Sequence, residues 1–193
     1  MTARSTAMLP AVVLFVLSGC AFIEQQATLR PQLTVAEGDV GRGTSIAVRI
    51  VDERPDRTLG HRGTAYGKGA KIMTTQDVAR VVHDQITDGL KRKRFVPIDY
   101  EPGTARALKV EIRLLEYSTS AGFFSGGIHT KATLKAVATN GGKEYENFYR
   151  VDNEERIVIV PTAERNEELL NAALSEVLRQ LFQDQQLLAF LAR

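Results

Sequence analysis

Apolar positions along the chain recur with two different periods, and the switches between them mark out the elements. In TSIAVRIVD (44–52), Ile46, Val48 and Ile50 share one face while Ala47 and Val51 lie on the other, which predicts a mostly buried strand. TTQDVARVVHDQITDGLKRKRF (74–95) changes to a helical period, with Val78, Val82, Ile86 and Leu90 every four residues and Val81 beside them. Thr74, three residues before Asp77, predicts a capping box with Asp in place of the usual Glu. FVPID then reads as a short strand, and Glu101-Pro102-Gly103 as a turn.

The next stretch has the plainest alternation. Leu108, Val110, Ile112 and Leu114 alternate with Lys109, Glu111 and Arg113. Ile128, Ala132, Leu134, Ala136 and Ala138 alternate with His129, Lys131, Thr133, Lys135 and Thr139. A turn at Asn140-Gly141-Gly142 sends the chain out again, so the section predicts an antiparallel meander wet on one face. A last helix stripe runs through Leu170, Leu174, Val177, Leu178 and Leu181, and Asp184 opens a short final turn through Leu187 to Leu191. The order β-α-β-β-β-β-α predicts an α+β fold, a mixed, mostly antiparallel sheet with two helices packed on one face.

The start of the chain breaks from both periods. Residues 7–17 are almost wholly apolar, preceded by Arg4, and the run is too short to span a bilayer, which needs roughly 20 apolar residues. It ends in Leu17-Ser18-Gly19-Cys20, which resembles the bacterial lipobox at every position, and Cys20 is the only cysteine. The resemblance implies cleavage before Cys20, a diacylglyceryl group on its thiol and an acyl group on the new amine. Such chains anchor firmly, because each buried methylene contributes about 0.8 kcal/mol. Residues 1–19 are thus expected to be a lipoprotein signal peptide. Ala21 and Phe22 replace the Asp that commonly retains lipoproteins in the inner membrane, so the expected site is the periplasmic face of the outer membrane.

Residues 20–43 follow as an acylated Cys and flexible tether, with a short strand near Leu33 to Val35. A single periplasmic domain is expected over 44–193. The formal net charge is only +2, with acids and bases well mixed, which does not suit nucleic-acid binding. The one dense basic run, Lys91-Arg92-Lys93-Arg94, falls at a predicted helix end, where it complements the helix dipole.

The lipobox, the strand closing in VDERPDRTLG before a glycine-rich link, the helix leading into FVPID, the long alternating strands and the amphipathic last helix together resemble the YajG-type lipoproteins. That family has no assigned activity, so the resemblance implies a place and a fold and supplies no catalytic residues.

Three stretches could carry chemistry. The turn 52–57 offers Asp52, Glu53 and Asp56 with Arg54 and Arg57; paired carboxylates can hydrolyse glycans, but an Asp–Arg pairing that organises the turn is favoured. The loop 60–71, with Gly60, Gly63, Gly67, Gly69, Lys68 and Lys71, fails the phosphate-loop pattern at Arg62 and Gly69. His61, His83 and His129 have no metal-ligand spacing, so no metal, cofactor or catalytic residue is expected. In SAGFFSGGI, Phe123 and Phe124 sit between glycines at a predicted hairpin tip and are the candidate binding residues. The expected function is a non-catalytic, lipid-anchored domain that binds an envelope protein or a cell-wall component. The alternative is a small-ligand or glycan binder, or a hydrolase, using Asp52 to Arg57 and Gly60 to Lys71. A concave pocket where those two segments meet would favour that alternative. The oligomeric state stays open.

Overall fold

A computed structural model describes residues 23–62, 69–121, 126–157 and 161–193. Cys20, Phe123, Phe124 and the middle of the 60–71 loop lie outside the described residues. The elements run β1 (Gln25–Gln26), β2 (Ser45–Asp52), β3 (Gly60–His61), β4 (Lys71–Met73), α1 (Val78–Arg92), β5 (Val96–Asp99), β6 (Arg106–Ala121), β7 (Gly126–Asn140), β8 (Lys143–Ile157), α2 (Ala163–Gln183) and α3 (Gln185–Ala192). This is the expected α+β class, with a curled mixed sheet. It carries a third helix, because Asp184 caps a full helix, accepting from the backbone N–H groups of Gln186 and Leu187.

β6 is the spine. One edge pairs antiparallel with β7, which pairs antiparallel with β8. The other edge takes β2 along its first half and β3 at Tyr117, both parallel. β5 lies parallel outside β2, and β4 and β1 continue outward from β3. The inner face carries Leu108, Val110, Ile112, Leu115, Tyr117, Ile128, Leu134 and Ala136, all buried. The predicted stripes meet that face: Val78, Val82, Ile86 and Leu90 from α1, and Leu170, Leu174, Val177, Leu178 and Leu181 from α2. The two helices approach closely at Gly89, where a Cβ would come within 2.3 Å of the Phe182 ring.

Three local expectations change. Asp77 itself is the N-cap of α1, accepting from the N–H groups of Ala79 and Arg80, while Thr74 accepts from Gln76. Leu114 leaves the inward series: β6 bulges between Ile112 and Leu114, so Arg113 is an extra residue and the inward positions become Leu115 and Tyr117.

The third change is the largest. Residues 23–43 are a strap packed along the helices, not a flexible tether, and the core begins well before Thr44, with Ala27, Leu29 and Val35 buried. The strand is at Gln25–Gln26 instead of near Leu33 to Val35. The N–H groups of Thr28, Arg30 and Gln32 donate to Glu167 (2.7 Å), Asn171 (2.6 Å) and Ser175 (2.8 Å) on α2. The match is geometric. Four helical residues rise about 6.0 Å and two extended residues about 6.6 Å, so i, i+4 on the helix keeps step with i, i+2 on the strap. Further on, the N–H groups of Gly38, Gly41 and Gly43 donate to the carbonyls of Arg92, Lys93 and Arg94. The basic run therefore does close α1, and the strap satisfies carbonyls that a helix end would leave open.

Candidate functional site

Between β2 and β3 the chain lifts off the spine. The N–H of Glu53 still donates to the Ile112 carbonyl (3.0 Å), and contact resumes where the Tyr117 N–H donates to the Leu59 carbonyl (2.8 Å). Residues 53–58 arch outward beside the β6 bulge. Arg54 holds the arch shut. Its guanidinium forks onto Asp52 (Nε to Oδ1 2.8 Å, Nη2 to Oδ2 2.9 Å) and reaches the Thr58 carbonyl at 3.5 Å. Arg54 is 7% exposed, and Arg57 adds a longer contact to Asp52 at 3.3 Å from solvent. Gly60 brings the chain back at φ +118°, where a Cβ would lie 1.8 Å from the Tyr117 carbonyl oxygen, so no other residue fits.

The arch and β6 enclose a groove of about 570 Å³, with Pro55, Asp56, Thr58 and His61 on one wall and Leu114, Glu116 and Ser118 on the other. Leu114 lines it because the bulge has turned that side chain to the outer face. The groove lies where the 52–57 turn meets the start of the 60–71 loop, the junction named above for ligand binding.

Two carboxylates of the arch are held toward their ionised form. Burial pushes the Asp52 carboxyl upward, but the hydrogen bonds and charge of Arg54, with Arg57 behind it, more than offset that and hold it below the usual range. Asp56 is also held low, chiefly by the backbone N–H of Thr58. Glycoside hydrolysis pairs one protonated carboxyl with one ionised carboxylate, and Asp52 and Asp56 are both held toward the ionised form. The favoured reading of the turn, an Asp–Arg pairing that organises it, is the geometry found.

The histidines are spread over β3, α1 and β7, and among the described residues no group of three or more His, Cys, Asp or Glu could hold a metal ion. The hairpin expected to carry Phe123 and Phe124 forms, with Ala121 opposite Gly126, but both rings lie outside the described residues. Two features were missed from the sequence. Ser118, His129 and Glu154 stand in one cross-strand row near the groove. Tyr117, just beneath, is fully buried on the inner face, and desolvation raises its hydroxyl to about 12. The adjacent Leu114-Leu115 pair, which breaks strict alternation, was the available signal for the bulge.

The family model described as an uncharacterized lipoprotein matches residues 31–192. Among solved structures, a Xanthomonas campestris protein of the DUF330 family superposes with a TM-score of 0.56 at 11% identity, covering 87% of this chain and 96% of its own. Lipoprotein GNA1162 of Neisseria meningitidis matches with a TM-score of 0.38 at 14% identity, covering 73% of this chain and 99% of its own. The first likeness bears on the fold alone. The search against curated proteins returns no match.

Proposed function

The chain belongs to this uncharacterized, YajG-type lipoprotein family, and on that premise we propose that it is a non-catalytic binding protein of the Gram-negative envelope. In this reading acylated Cys20 holds it at the periplasmic face of the outer membrane, and the groove under the 53–58 arch receives an envelope protein or a cell-wall component. The supporting observation is the arch itself. A buried Arg54–Asp52 fork braces the arch beside a concave surface. The meeting of turn and loop in one concave groove supports the second reading, a small ligand or glycan as the bound moiety.

Two tests bear on this. Fatty-acid labelling should be lost in Cys20→Ser, with the chain released from membranes; retained label would overturn the anchor. A photo-crosslinker at Ser118 in intact envelopes should capture a defined peptidoglycan fragment or protein, and Leu114→Arg, which obstructs the groove, should cut that capture at least tenfold without moving Tm. Undiminished capture in Leu114→Arg would show that the groove is not the binding surface.

A further inference from the structure

The strap changes where the lipid must lie relative to the domain, provided Cys20 is acylated as proposed above. Between Ile23 and Ala27 the chain is tied to the fold at several points. The Arg62 guanidinium donates to the Ile23 carbonyl (2.9 Å), Gln25 and Gln26 pair with Ile72 and Met73, and the Ala27 N–H donates to the Met73 carbonyl (2.8 Å). The Gln25 side chain, 6% exposed, donates to the Ala163 carbonyl and accepts from Asn166. Only three Cα steps separate Cys20 from Ile23, and an extended chain spans at most about 3.6 Å per residue. The acylated residue therefore lies within about 11 Å of Ile23, which is itself 61% exposed.

The register fixes what else occupies that end. β1 runs parallel to β4, with Gln25 opposite Ile72, and Lys71 faces His61. β3 runs parallel to β6 from Tyr117, so Arg62 and Ser120 emerge together. β7 begins and β8 ends there, with Gly126 opposite Ile157, and α2 starts at Thr162, its N-cap.

The basic run is at the other end. Arg94 holds Gly43, and Ser45 pairs with Val96, beside the start of β6. At about 3.3 Å per residue, β6 carries that end up to roughly 50 Å from Ala121. The screening length at physiological salt is about 8 Å, so lipid headgroups beneath Ile23 exert no pull on Lys91 to Arg94.

We propose that the end of the sheet bearing Ile23, Arg62, Ser120 and Thr162 is the membrane-facing surface, and that the domain stands end-on against the bilayer that holds its acyl chains. The lipid surface is the partner because the chain delivers it there, within a few residues' reach. The groove then opens sideways above the headgroups, with His61 and Ser118 nearest the bilayer, and the basic run points away from it.

The test uses the full acylated chain in vesicles of phosphatidylethanolamine and phosphatidylglycerol containing a headgroup-nitroxide lipid. A fluorophore is attached through Ser120→Cys or, in a separate sample, Lys143→Cys at the opposite end. Quenching should be at least fivefold stronger at 120 than at 143. Equal quenching, or stronger quenching at 143, overturns the orientation. A second variant inserts 15 Gly/Ser residues between Ile23 and Glu24, a coil with an r.m.s. span of roughly 22 Å. It should lower the ratio at least twofold with Tm unchanged, and an unchanged ratio overturns the short tether as its cause. Absence of fatty-acid label on the purified chain is a separate result that overturns the anchor and the orientation together.

Discussion

The two faces of the spine strands contrast sharply. Inward residues of β6 and β7 are Leu, Val, Ile, Ala and Tyr with the polar exception of Thr130, nearly all without exposed surface. Outward residues of the same strands pair by charge: Lys109 and Arg113 flank Glu111 at 2.7 and 3.0 Å, Lys131 meets Asp152 at 3.1 Å, and Lys135 meets Glu146 at 2.8 Å. Aromatic rings there take cations, with Arg49 over Tyr100 at 5.2 Å and Arg150 over Phe148 at 4.6 Å. Volume dictates the first face and pairing the second. The inner face therefore sets stability, and the outer face, with the groove that opens on it, is free for contacts that evolve without unfolding the domain.

The contrast breaks most visibly at α2. Leu174→Ala, against the inner face, should cost about 2–5 kcal/mol, read as a large fall in Tm. Glu176→Ala, whose carboxylate pairs with neighbouring Arg179 and Gln180 on the exposed side of the helix, should change stability by at most about 1 kcal/mol. Equal effects would mean that the face assignment is wrong.

A smaller effect is expected where a polar group enters the inner layer. Asp184 Oδ2 accepts from Tyr145 (2.9 Å), Asn147 (2.9 Å) and Tyr149 (2.7 Å), while Oδ1 caps α3. Asp184→Asn keeps one accepting oxygen, so either the cap or the tyrosines lose a partner, at about 1–3 kcal/mol. Burial raises the Asp184 carboxyl, but the bonds from Asn147, the Leu187 N–H and the tyrosines outweigh it, and the net shift is downward. A carboxyl depressed in the folded state contributes fully above its unfolded value of about 3.9, and that contribution fades as pH falls through the folded value. Denaturant titrations below about pH 4 should therefore show a flatter acid limb for Asp184→Asn than for the parent. Parallel limbs would remove Asp184 from the acid response.

The smallest effect belongs to the outer face. A double-mutant cycle on Lys135 and Glu146 should return a coupling of about 0.2–1 kcal/mol that shrinks with added salt. A coupling above about 2 kcal/mol would show that this face carries stability after all.

What could be read from the sequence follows from the same physics. The meander and both helix stripes were legible because one side of each element must be dry, and Leu134, Leu170 and Val82 report that directly. The strap was harder. Ala27, Leu29, Pro31, Leu33 and Val35 do alternate with Thr28, Arg30, Gln32 and Thr34, but Pro31 and the nearby glycines read as linker. Its partners, Glu167, Asn171 and Ser175, lie far along the chain with no local signal. The residues of the turn were legible and their pairing foreseeable, since Asp52 and Arg54 are two apart. The groove was not, because it arises where an arch on one strand coincides with a bulge on another.

The ladder between strap and α2 also has a mechanical meaning. The strap leaves Gln25 in the same direction as α2, so if Cys20 is acylated as proposed, tension on that anchor would run along the strap axis. The bonds at Thr28, Arg30 and Gln32, and the β1–β4 pairing ahead of them, then bear the load together in shear instead of opening one after another. A load applied ahead of Gln25 would thus be shared along the whole seam, which makes the strap the fold's strain relief.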